Sequence, residues 1–160
     1  MLCTHPSEVA MGRVFDAMKS FFEADDWKFQ AIEGEPALRM AFAGDDGQWS
    51  CIARAREKEE QFIFYSYFPV RVSEELRLVM AEFITRANYG MIIGNFELDF
   101  SDGEVRYKTS IDVENAELTP ALAKHIVYAN VLTMDRYYKG LVAVAGGGMK
   151  AAEAIKLIES

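Results

Sequence analysis

The sequence predicts an α+β fold: an antiparallel β-sheet with helices packed against it, in the order α-β-β-β-β-α-β-β-α-α. Three observations carry this. Apolar residues recur at spacings of three and four in four stretches, the signature of amphipathic helices. Several stretches alternate apolar and polar residues with a period of two, the mark of strands with one covered and one wet face, which antiparallel sheets have. An Asp102-Gly103 pair between two such stretches marks a hairpin, because a tight type I′ turn needs residues that tolerate positive φ.

Taken in order, Pro6-Ser7 reads as the first helix start, with Ser7 as N-cap. Met11, Phe15, Met18 and Phe22 make its apolar stripe, and the helix ends near Asp25-Asp26. Acids there oppose the helix dipole, which marks either a solvated exit or a site. Trp27 to Ile32 forms a short strand, and Gly34-Glu35-Pro36 ends it. Leu38, Met40 and Phe42 point one way along a second strand. Trp49, Cys51, Ala53 and Ala55 do so along a third, after the turn Gly44-Asp45-Asp46-Gly47. Phe62 to Phe68 is apolar or aromatic on both faces. It therefore belongs in the middle of the sheet, or its tyrosines form a partner surface. Pro69 closes that strand, since proline cannot donate to a ladder.

Ser73 then starts a second helix with Glu74 and Glu75 at its positive end and Leu76, Val79, Met80, Phe83, Ile84 and Ala87 inward; Gly90 stops it. In the hairpin, a two-residue turn at Asp102-Gly103 sets Phe100 against Val105, Asp99 against Arg106, Leu98 against Tyr107 and Glu97 against Lys108. Thr119-Pro120 opens a third helix lined by Leu122, Ile126, Ala129, Leu132 or Thr133, and Tyr137. Gly140 interrupts or kinks it, Leu141 to Ala145 docks as a separate turn, Gly146-Gly147-Gly148 is a joint, and Met149 to Glu159 is a last helix. No linker or repeat divides the 160 residues, so residues 1–160 read as a single domain with 1–6 flexible.

Composition narrows the function. A formal net charge of −8 opposes binding to a phosphate backbone, so no nucleic-acid partner is expected. No apolar run approaches the roughly 20 residues that span a bilayer, and the start lacks a basic-then-apolar leader. A cytoplasmic protein with no membrane association is the expectation. The two cysteines, Cys3 and Cys51, cannot make a zinc site, and neither a metal nor a cofactor is expected. The acidic pairs Asp25-Asp26, Asp45-Asp46 and Asp99-Asp102, with Glu57, Glu59 and Glu60, fall in turns or on wet faces. That is a poor setting for splitting acid and base roles between two carboxylates. Only His5 and His125 could serve a nucleophile, and His125 flanks an apolar stripe. No catalytic residue is assigned, and the chain reads as a non-enzyme.

One polar constellation stands out. Arg86, Asn88 and Tyr89 end the second helix, and Asp135, Arg136 and Tyr137 lie toward the end of the third. They form either a structural network or a pocket for a small ligand or peptide.

The chain resembles the bacterial YbjN domain family, associated with sensory transduction regulation. The segments that carry the resemblance are Trp49-Ser50-Cys51, Tyr65-Ser66 with Phe68-Pro69-Val70, Arg86-Ala87-Asn88-Tyr89-Gly90, Gly94-Asn95-Phe96-Glu97-Leu98-Asp99, Asp102-Gly103-Glu104-Val105-Arg106-Tyr107 and Met134-Asp135-Arg136-Tyr137. It covers nearly everything from Phe21 to the end and departs at Gly148-Met149-Lys150-Ala151, where the family often shows a Ser-Pro helix start. The resemblance implies a type III secretion chaperone-like fold, which is commonly dimeric. By that analogy it implies a homodimer that binds a protein partner or peptide segment, a regulatory or chaperone-like module. The alternative is a small-ligand sensor or enzyme using the region of Arg86, Tyr89, Asp135 and Arg136.

Overall fold

The computed structural model describes residues 11–160. Its elements are α1 (Arg13–Ala24), β1 (Phe29–Ala31), β2 (Ala37–Ala43), β3 (Gln48–Arg56), β4 (Gln61–Tyr67), α2 (Arg77–Asn88) after a 3₁₀ turn (Glu74–Leu76), β5 (Asn95–Leu98), β6 (Val105–Asp112), α3 (Pro120–Ala145) and α4 (Ala151–Glu159). The strands form one six-stranded sheet in the order β1-β2-β3-β4-β6-β5, and every neighbouring pair is antiparallel. The aromatic strand β4 takes the central place that its two apolar faces required. The α+β reading and the element order both hold.

All the helices lie on one face. There Trp49, Cys51 and Ala53 of β3, Phe62 and Phe64 of β4, and Val105 and Tyr107 of β6 are buried beneath Val14, Met18 and Phe22 of α1 and Val127, Val131 and Met134 of α3. The opposite face carries Ile52, Ile63, Tyr65 and Tyr67, half-buried and without a helix over them.

The expected Ser7 cap lies outside the described residues, and Met11 and Gly12 are extended chain before α1. The α1 amides find a distant acceptor: Glu57, between β3 and β4, accepts from Val14 N at 3.3 Å and Phe15 N at 2.6 Å. A carboxylate at a helix N-terminus satisfies orphan amides and complements the dipole. Gly12 makes room for it, since a Cβ there would come within 2.3 Å of the Glu57 carboxyl.

The β5–β6 hairpin keeps the expected facing but shifts register by two residues. Glu97 pairs with Arg106, Phe96 with Tyr107, and Leu98 with Val105. The loop spans Phe100 to Gly103, closed by Asp99 N donating to Glu104 O at 2.9 Å. Of the expected turn pair only Gly103 has positive φ, so a type I′ turn is not formed. Asp99 instead accepts from both the amide and the hydroxyl of Ser101, at 2.8 and 2.6 Å, and this local cap stabilises a longer loop. An even shift preserves the side-chain faces. The expected Asp99–Arg106 pairing is therefore replaced by Glu97–Arg106 at 2.6 Å.

Helix α3 differs from expectation in phase and in length. Thr119 caps it as foreseen, accepting from Leu122 N at 3.2 Å with Pro120 in the first turn. Its buried face is Ala123, Ile126, Val127, Asn130, Val131, Met134, Tyr137, Gly140, Leu141 and Val144, which leaves Leu132 59% exposed. The expected stripe of Leu122, Ile126, Ala129, Leu132 or Thr133, and Tyr137 is therefore partly out of phase, and the buried Asn130 lies outside it. Gly140 neither kinks nor ends the helix, which runs on through Ala145. It is the close-approach point for α2 and α4: a Cβ there would meet Ile158 Cδ1 at 2.2 Å and the Phe83 ring at 2.7 Å.

Gly140→Ala tests that close approach. In an open helix the change gains about 1 kcal/mol. Here overpacking costs about 1–3 kcal/mol, so a lower melting temperature is expected. A raised one would show that the α2–α3–α4 junction has slack.

Candidate functional site

The constellation expected around the ends of α2 and α3 splits into four separate structures. Arg86 lies along the surface of α2 and pairs with Glu82 one turn earlier at 2.9 Å. Asn88 acts as a clip. Its Oδ1 accepts from Phe96 N at 2.7 Å and its Nδ2 donates to Phe96 O at 3.1 Å, tying the exit of α2 to β5. Asp135 faces the β2–β3 turn on the other side of α3, accepting from Asp45 N and Asp46 N, both at 3.0 Å. Gly44 permits this, because a Cβ there would lie 2.2 Å from Asp135 Oδ1. Lys139, one helical turn on, reaches Asp46 at 2.9 Å.

Tyr89, Arg136 and Tyr137 do come together. They line a depression of about 320 Å³ whose apolar wall includes Met91, Ile92 and Ile93. Its rim is greasy: Tyr89 is 92% and Ile92 89% exposed. The Arg136 guanidinium lies 5.4 Å from the Tyr137 ring centroid and makes no ion pair among the described residues. On its floor the Tyr137 hydroxyl donates to Glu159 Oε1 at 2.6 Å, fastening α4 to α3. Burial, reinforced by that acceptor and its charge, pushes the Tyr137 phenol up to about 12.

The aromatic strand contributes the other candidate, the open sheet face. Read across the strands, one row runs Arg39, Ile52, Tyr65, Lys108 and the next Ala41, Ser50, Tyr67, Arg106. Arg106 sits over the Tyr65 ring at 4.4 Å. Both Arg106 and Lys108 donate to Glu97, at 2.6 and 2.5 Å. Burial opposes ionisation of Glu97, but the bonds from Lys108 and Arg106 outweigh it and hold the carboxyl below its ordinary range. Burial likewise raises the Tyr67 phenol. Among the described residues no cluster of His, Cys, Asp or Glu could hold a metal ion, and no helix is long and apolar enough to cross a membrane.

Asp25, Cys51 and Thr109 have structural partners. Asp25, placed against its helix dipole, accepts from Tyr128 OH at 2.6 Å and Trp27 Nε1 at 2.9 Å. The Tyr128 bond holds its carboxyl low. Cys51 is buried against Ser66, and burial pushes its thiol up to about 12, far from a reactive thiolate. Asn130 and Thr109 form a buried polar contact between α3 and the sheet that the sequence pattern did not reveal. Its only trace is an asparagine at a core position of the 3.6-residue period.

The model of the YbjN family, "Putative bacterial sensory transduction regulator", matches residues 15–142. No curated protein matches the chain. Three solved structures share the fold. YbjN, "a putative transcription regulator from E. coli", superimposes with a TM-score of 0.60 at 13% identity, over 76% of this chain and 85% of its own. The HopA1–SchA chaperone–effector complex gives 0.51 at 16%, covering 81% and 96%. The ExsC–ExsE complex gives 0.52 at 14%, covering 81% and 93%.

The Tyr137–Glu159 bond yields a pH signature. An unfolded phenol titrates near 10 and the folded one at about 12. The contact therefore stabilises the fold fully below pH 10, and its contribution disappears as pH rises through 12. Tyr137→Phe is expected to cost about 1 kcal/mol at neutral pH and to remove this part of the alkaline loss. Denaturant titrations of both proteins at pH 8 and 11.5 measure it; a stability gap that does not narrow between those pH values would refute the assignment.

Proposed function

Since the chain belongs to the YbjN family, we propose that it is a non-enzymatic, cytoplasmic protein-binding and regulatory module that works as a homodimer. In this reading a segment of another protein docks on the open face of its sheet. The observation that carries it is the one-sided covering: Ile52, Ile63, Tyr65 and Tyr67 form a half-buried apolar field in the middle of the sheet with no helix over it. Tyrosines in such a place bring large contact area with a polar tip, the usual make-up of recognition hot spots. Two structures with this fold are complexes of two proteins, one of them chaperone with effector, which supports the reading by analogy of fold.

The test replaces both tyrosines, Tyr65→Ser with Tyr67→Ser, in a pull-down from bacterial lysate read by mass spectrometry. Wild type is expected to retain a reproducible partner and the variant to lose it while circular dichroism stays unchanged; light scattering should give a dimer. A wild-type protein that is monomeric and retains nothing reproducible would overturn the proposal.

A second reading rests on the depression beside Arg136. It is a small-ligand sensor site with Tyr89, Arg136 and Tyr137 as its lining; Arg86 and Asp135, expected with them, point elsewhere. A thermal-shift screen against anionic metabolites decides this. A hit of several degrees in wild type that vanishes in Arg136→Ala establishes the site, and an empty screen removes it.

A further inference from the structure

The open face differs in charge from the molecule that bears it. The chain as a whole holds 25 Asp and Glu against 17 Lys and Arg. The outward residues of the strands reverse that balance: Arg39, Arg54, Arg56, Arg106 and Lys108 against Glu97 and Asp112. Much of this positive charge is internally matched. Glu97 takes both Arg106 and Lys108, Glu35 takes Arg54 at 2.7 Å, and Glu59 takes Arg56 at 3.2 Å. Lys28 and Arg39 are different. Both are exposed, and neither makes an ion pair or side-chain hydrogen bond among the described residues. They share a groove of about 360 Å³ with Ser50 at the β1–β3 side. A second groove of about 370 Å³, also lined by Arg39 and Ser50, continues past Ile52 to Tyr67.

We infer that the docked segment is acidic and apolar by turns, its carboxylates meeting Lys28 and Arg39 and its apolar side chains lying on Ile52 and Tyr67. This rests on the docking reading above and names the class of partner. Two unpaired cations beside an apolar floor offer charge and contact to the alternating side chains of an extended segment. An anionic segment is repelled by much of the acidic surface and attracted by the unpaired cations of this groove, which steers it there. A single-stranded nucleic acid would also stack on tyrosines. Its continuous phosphates need many free cations, though, and the other strand cations are already bound to carboxylates.

Panning a displayed library of random 16-residue peptides on the full chain tests this, followed by fluorescence anisotropy with the most enriched peptide. The expected result is enrichment for net-negative peptides with interspersed apolar residues. Binding should fall at least tenfold in Lys28→Glu with Arg39→Glu, fall less in the Gln double variant, and converge between proteins as salt is added. Both positions are exposed, and circular dichroism melts confirm folding of each variant. Neutral or basic peptides that bind through Tyr67, losing affinity in Tyr67→Ser, would overturn the acidic class and leave the docking reading standing. Peptides indifferent to all these substitutions, or no enrichment, would overturn both. An oligothymidine 12-mer that binds more tightly than the best peptide would overturn the polypeptide assignment.

Discussion

Asn130 sets the phase of the structure. Its side chain has no exposed surface, and its Nδ2 lies 2.9 Å from Phe64 O, 3.1 Å from Tyr107 O and 3.2 Å from Thr109 Oγ1, so it faces acceptors on both β4 and β6. Thr109 in turn donates to Ile126 O of α3 at 2.9 Å. The buried Asn130 Oδ1 meets no partner among the described residues, so losing the Nδ2 bonds would leave the whole amide unpaired, which opposes rotation or sliding of the helix. An apolar interface alone would accept several registers of α3 on the sheet; this one does not. With 26 residues, and so about 39 Å of length, α3 carries its fixed phase across the whole sheet.

From that phase the distribution of the other groups follows. Successive helix residues diverge by about 100°. Asp135 and Lys139 are therefore turned to the β2–β3 turn, while Arg136 and Tyr137 are turned to α4 and the loop after α2. Tyr138 stacks on Trp49 at 5.5 Å and sits where a Cβ on Gly47 would be, 2.2 Å from its ring. The polar residues that look like one constellation in the sequence serve opposite sides of one helix. The same phase presents Gly140 to Phe83 and Ile158, so α2 and α4 crowd against α3 on the covered face. With the covering helices committed there, the outer tyrosines of β4 are left with only their neighbours in the sheet.

What was legible in the sequence is what has a short period. Most strands and helices announced themselves by a period of 2 or 3.6, and the Thr119 cap was readable too; Ser73 instead precedes a 3₁₀ turn and makes no side-chain cap bond, so α2 begins later, at Arg77. The illegible parts are mostly non-local. Glu57 supplies the α1 cap from more than 40 residues away, so the start of α1 cannot be found by looking for a neighbouring Ser or Thr. The hairpin register was decided by Asp99 capping Ser101, which lengthens the loop by two residues without changing any face; alternation is blind to that choice. Asn130 is absent from the expected apolar stripe, because a search for apolar residues passes over a buried asparagine whose bonds are to β4 and β6. Of the candidate site, the joining of Tyr89 to Arg136 and Tyr137 was foreseen, although Arg136 and Tyr137 lie within α3, which runs on to Ala145, and not near its end. The turning away of Asp135 was not, because its partners are the amides of Asp45 and Asp46, which no side-chain pattern reveals.

The fate of the carboxylates bears on what chemistry this scaffold favours. A general acid at neutral pH needs a carboxyl whose proton is held more tightly than usual, by burial or a like charge. Here the perturbed carboxyls move the other way. Asp25 is lowered by Tyr128, Asp99 by Ser101 and Asp112 by Gln61, and Glu97 falls despite its burial because Lys108 and Arg106 donate to it. Others are occupied as acceptors of backbone amides: Glu57 at α1, Asp135 at the β2–β3 turn, and Asp102 at Glu104 N. An acidic chain that uses its acids as fixed acceptors gains defined turns and helix ends at the expense of proton-transfer groups. Among the cations it leaves unpaired are Lys28 and Arg39, which border the grooves that lead across the open sheet face to Tyr67.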